Sequence, residues 1–144
     1  MQLSLLLLSL TAPASAHPGG HDDMHSRPRP LAPAAPPAAV IPADFAGTVA
    51  AMKERATAAG TALDGMKIID VHHAARALTE LAAALLPKAS SLTAEGKAAA
   101  ATSVPLVEAQ ISALIVAADK GNATNGKAAL TTLQAELDKL AALK

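Results

Sequence analysis

Between His17 and His25 the chain sets three imidazoles, His17, His21 and His25, beside the carboxylates of Asp22 and Asp23 and the thioether of Met24. Imidazole nitrogen suits zinc, copper and nickel, and thioether sulfur adds a preference for Cu(I), so the donor set is borderline to soft. The residues just before it bear on how those donors are presented. An apolar run from Leu3 to Leu10 leads to Ala14-Ser15-Ala16, with small residues at the minus-three and minus-one positions, which is the pattern of a secretory signal peptide over residues 1–16, cut after Ala16. The n-region carries no Lys or Arg, so this expectation rests on the apolar run and the cleavage site. The run is about half of the roughly 20 residues that a membrane span requires. Cleavage between Ala16 and His17 implies a soluble protein that is periplasmic or secreted, with His17 as its first residue.

A terminal histidine offers its free amine and its Nδ1 to one cation at once. Pro18 has no amide proton, so the copper(II) mode that deprotonates successive amides is blocked there and binding falls to amine and ring nitrogens. A terminal histidine joined by a second one, His21 or His25, resembles the copper histidine brace of exported copper proteins. Those families place the brace on β-sandwiches, so the resemblance implies ligand chemistry alone and no oxidative attack on polysaccharide.

A second pair, His72 and His73, stands in Ile69-Asp70-Val71-His72-His73-Ala74-Ala75-Arg76. On a helix with Val71 at the centre of its buried stripe, His72 lies about 100° away at the boundary and His73 about 200° away, facing water. Adjacent histidines diverge too far to chelate one ion. His73 therefore reads as a solvated side chain, and His72 is left open as an anchor for a metal carried by the tail.

These donors need elements to hold them. Residues 17–26 form the His-rich tail. Residues 27–42, RPRPLAPAAPPAAVIP, form a Pro-rich linker that favours extended backbone and acts as a semi-rigid spacer. Residues 43–144 read as helical throughout. Phe45, Val49, Met52, Ala56, Ala59, Leu63 and Met66 alternate steps of four and three behind a capping Asp44, and Gly65 suits the left-handed stop position. Ile68, Val71, Ala75, Leu78, Ala82 and Leu85 mark a second helix expected to end at Leu86, before Pro87. Thr93 caps a third, with Val104, Val107, Ile111, Leu114 and Ala118, a bend or new turn at Pro105, and a stop at Gly121. Asn122 or Thr124 caps a fourth, with Leu130, Leu133, Leu137 and Leu140 as its seam. The expected fold is all-α: an antiparallel up-down-up-down four-helix bundle preceded by a disordered tail.

Composition narrows the function further. Twelve basic and twelve acidic residues balance without a basic face, which argues against nucleic acid as a partner. The absence of cysteine excludes disulfides, thiolate metal sites, iron–sulfur clusters and covalently attached c-type haem. Phe45 is the only aromatic residue, so stacking platforms and aromatic cages are excluded as well.

The body resembles small exported four-helix proteins of the b-type cytochrome kind in its helix lengths, short connections and the hairpin around Asp119-Lys120-Gly121-Asn122. Such proteins hold haem between a methionine on the first helix and a histidine on the last. Met52 could stand at the first position, but the fourth helix has no histidine, so no haem is expected and Met52 reads as a core residue. Histidine phosphotransfer domains are also four-helix bundles, but their histidine is typically followed by a lysine-glycine pair, and His72-His73 is followed by Ala74-Ala75-Arg76.

No constellation for catalysis stands out. Glu54, Glu80, Glu95, Glu108 and Glu136 lie on different segments and read as solvated helix faces, so the chain is not expected to be an enzyme. Two functional readings follow. The first is an exported metal-binding accessory protein for copper, zinc or nickel, in envelope metal homeostasis or resistance. Its partners would be the ion and an envelope protein or metal transporter. The second is a non-catalytic structural or interaction bundle of the envelope, pairing through its Ala-rich faces with itself as a homodimer or with a partner.

Overall fold

The structure, a computed structural model, describes residues 38–144. The signal segment, the His-rich tail and the linker up to residue 37 lie outside the described residues. Four α-helices follow in chain order: α1 (Phe45–Asp64), α2 (Ile68–Lys88), α3 (Ala94–Asp119) and α4 (Ala123–Ala141), with a 3₁₀ turn at Ala89–Ser91 between α2 and α3. No strand occurs among the described residues. α1 packs on α2 and α4, and α3 packs on the same two helices, so each helix has two neighbours.

Three of the four helices begin on a side-chain cap. Asp44 accepts from the Gly47 amide at 2.7 Å, Thr93 from the Gly96 amide at 3.1 Å and Asn122, rather than Thr124, from the Asn125 amide at 3.0 Å. Each bond satisfies one of the amides that the first turn leaves without an intrahelical partner. α2 starts at Lys67 without such a bond.

Two helices stop in the same way. After α3, the amides of Gly121 and Asn122 donate to the carbonyls of Ala118 and Ala117 at 3.0 and 2.8 Å, with Gly121 at φ +62°. After α1, the amides of Met66 and Lys67 donate to Leu63 and Ala62 at 3.1 and 2.9 Å. Both are Schellman stops, but after α1 the left-handed residue is Met66 at φ +54°, not Gly65, whose φ is −83°. The chain places its glycine one position early, and Met66 bears the steric cost of a Cβ in left-handed backbone. Met66 is 82% exposed and stands outside the seam that its spacing predicts.

Pro87 and Pro105 both lie inside helices. α2 continues through Pro87 to Lys88 instead of ending at Leu86, and α3 runs unbroken past Pro105. By length and composition α3 could cross a membrane; Val104, Val107, Ile111 and Leu114 on it are buried within the body.

The core is aliphatic. Its largest fully buried side chains are Met52, Leu78, Leu81, Leu85, Leu114, Leu133, Leu137 and Leu140, with alanines between them. Met52 is a core residue, as its spacing predicts. One glutamate departs from the solvated-face reading: Glu136 is 7% exposed, beside Leu137 on the packed side of α4. Its Oε1 accepts from Lys139 Nζ at 2.6 Å, and its Oε2 has no partner. Lys139, one turn on, supplies the charge that makes this burial tolerable.

Candidate metal-binding residues and the α1–α2 groove

His72 and His73 stand in the second turn of α2 and point to different neighbours. His72 is half-buried where α2 meets α3, and its Nε2 lies 3.2 Å from Oδ1 of Asp119, the last residue of α3. Nδ1 takes no part in that contact. His73 is exposed and lines a groove between α1 and α2. The 100° between successive helical residues separates the two rings, as the sequence predicts.

No group of three His, Asp or Glu side chains that could hold a metal occurs among the described residues. Of the residues singled out for metal binding, only His72 lies within them; His17, His21, Asp22, Asp23, Met24 and His25 lie outside. Asp119 was not signalled by spacing, because its approach to His72 crosses from one helix to another.

The groove beside His73 carries more charge than the sequence singles out. Arg55 on α1, Lys67 ahead of α2, and Asp70 and His73 on α2 all line it, and the segment Ala38-Ala39-Val40 forms one wall. That wall is tied down at two points. The Ala39 amide donates to Glu80 Oε2 at 2.9 Å, and Lys88 Nζ donates to the Ala43 carbonyl at 3.0 Å. Glu80 Oε1 also accepts from Arg76 Nε at 3.1 Å, an i,i+4 pair legible in the sequence.

The Ala39 amide, and then Arg76, hold the Glu80 carboxyl below its ordinary range. A depressed carboxylate pKa contributes stability above the unfolded value and loses it as pH falls through the folded one. Acidification through the carboxylate range is therefore expected to release the wall at Ala38-Ala39-Val40, while the Lys88 bond to Ala43 and the helices persist. Amide exchange at Ala39, followed against pH, reads this directly; protection unchanged down to full protonation of Glu80 would contradict it. Glu80→Ala should give the released state at neutral pH.

None of the protein-family models, curated proteins or solved structures compared with this chain matches it.

Proposed function

We propose that this chain is an exported, non-catalytic metal-binding accessory protein that captures copper, zinc or nickel and presents it to an envelope protein or transporter. The observation that carries this reading is the donor cluster His17, His21, Asp22, Asp23, Met24 and His25 directly behind a small-residue cleavage pattern ending at Ala16. His72 serves as the anchor on the helical body. Its Nε2 lies 3.2 Å from the Asp119 carboxylate, which supports a carboxylate–histidine–metal arrangement with Nδ1 toward the ion.

The body behind the tail is an antiparallel up-down-up-down bundle in this reading. The short turns at 65–67 and 120–122 support it, as do the ion pairs between α1 and α4, Lys127 to Asp64 at 2.6 Å and Lys53 to Asp138 at 2.7 Å.

The test titrates the mature protein beginning at His17, beside a version beginning at Pro28, with Cu(II) and Zn(II). The first should bind and the second should not; equal, negligible binding by both overturns the reading. Below about pH 6.5 the affinity should fall by roughly tenfold per pH unit for each imidazole proton displaced, because protons compete for the same nitrogens. Mass spectrometry of the exported form fixes which residue comes first.

A structural or interaction bundle is the second reading, supported by the exposed Met66, Ile68 and Ile69 grouped at the α1–α2 turn. Metal-independent dimers in sedimentation, unaffected by removal of the tail, would favour it.

A further inference from the structure

The groove between α1 and α2 is half open to solvent and has a volume of about 610 Å³. That falls in the roughly 300–1,000 Å³ range of small-molecule sites. Its long axis follows α2 from Lys67 to Ala77, ten steps of 1.5 Å or about 15 Å. Its floor is apolar and shallow-chained, formed by the buried Ala62 and Ala74. Val40, 86% exposed, stands on the rim of the wall that Glu80 fixes.

Six of the ten Lys and Arg side chains among the described residues hold no carboxylate, and two of those six line this groove. Lys53, Arg76, Lys127 and Lys139 each hold a carboxylate within salt-bridge distance. Arg55, Lys67, His73 and Asp70, which line the groove, form no ion pair among the described residues. Two permanent cations, an imidazole and one carboxylate thus line an apolar floor, Arg55 from α1 and the other three from the α2 side. A metal cation would be repelled by Arg55 and Lys67, so this groove is separate from the metal chemistry of the tail.

We propose that the α1–α2 groove binds a small organic anion with a short apolar body, a medium-chain carboxylate being the simplest. The guanidinium of Arg55 supplies a forked donor matched to a carboxylate, and the chain lies on Ala62 and Ala74 against Val40. Asp70 lies three residues from both Lys67 and His73 at the start of α2 and offsets charge at that end, which leaves Arg55 on α1 as the principal partner of the anionic head.

The test uses the full mature chain labelled for NMR and titrated with octanoate, with octanol and octylammonium as neutral and cationic probes of equal length. Octanoate at low millimolar concentration should shift the amides of Ala38 to Val40, Arg55, Ala62, His73 and Ala74. Arg55→Ala with Lys67→Ala should weaken it by roughly tenfold, the equivalent of one lost charge-assisted hydrogen bond. Arg55→Lys should restore part of the loss. Both positions are exposed, and an unchanged melting temperature for the double variant separates lost binding from lost fold. Equal shifts from all three probes, shifts confined to Met66, Ile68 and Ile69, or no shift at all would overturn the proposal.

Discussion

Leu78→Ala should cost about 2–5 kcal/mol of folding stability, read as a lower midpoint in urea denaturation with an unchanged slope. Leu78 is fully buried on α2, and the cost has two parts, the lost transfer of the side chain from water and the cavity it leaves. Here the second part is expected to be large. The neighbours of a deleted leucine in this core are mostly alanines and other leucines, with no tryptophan or tyrosine and only Phe45 among aromatics. Alanine has no side-chain freedom with which to fill a void, so collapse around the site is limited to backbone shifts. The loss is also a large share of the whole, since domains of this size are stable by about 5–15 kcal/mol. Leu106→Ala, at a half-exposed position on α3, is the control and should cost well under half as much. Equal losses at both positions would mean that the leucine seam does not form the core described above.

Why the seam was legible and other features were not has a physical basis. Helix positions follow from local terms: the apolar period of Val49, Met52, Ala56 and Leu63, the caps Asp44 and Thr93, and the stop at Gly121 all act within one or two turns. The structure departs where a local rule meets a competing one. Gly65 was the natural left-handed residue, but α1 extends to Asp64, and the Schellman bonds from Met66 and Lys67 put the positive φ one residue later. Pro87 looked like a stop, yet α2 is carried one residue beyond it, to Lys88, whose Nζ bonds the Ala43 carbonyl. The groove was invisible because Arg55, Lys67 and His73 come from two helices and a turn. No spacing within one helix brings them together. His72 fared better: its boundary position follows from helical rotation alone, though its partner Asp119 does not.

Pro105→Ala should raise stability by about 1–3 kcal/mol, the opposite sign from most substitutions in a helical body. Pro105 lies deep within α3, eleven residues after Ala94, where a proline lacks the amide that would bond the carbonyl four residues back, here Ala101, and presses its ring against it. The full penalty is about 3 kcal/mol relative to alanine. Part of it is already relieved, because Ala101 and Pro105 are both exposed and water can satisfy the freed carbonyl. Proline also stiffens the unfolded chain, and losing that constraint subtracts about 0.4–1 kcal/mol from the gain. At roughly 4–8 °C per kcal/mol for a body of this size, the melting temperature should rise by at least several degrees. Pro87→Ala makes the comparison informative. Pro87 lies in the last turn of α2, where the helix ends one residue later, so the restored bond is worth less and the entropic loss is the same. Its change should stay within about 1 kcal/mol of zero. A gain at residue 87 matching that at 105, or no gain at 105, would show that α3 is not continuous through its proline.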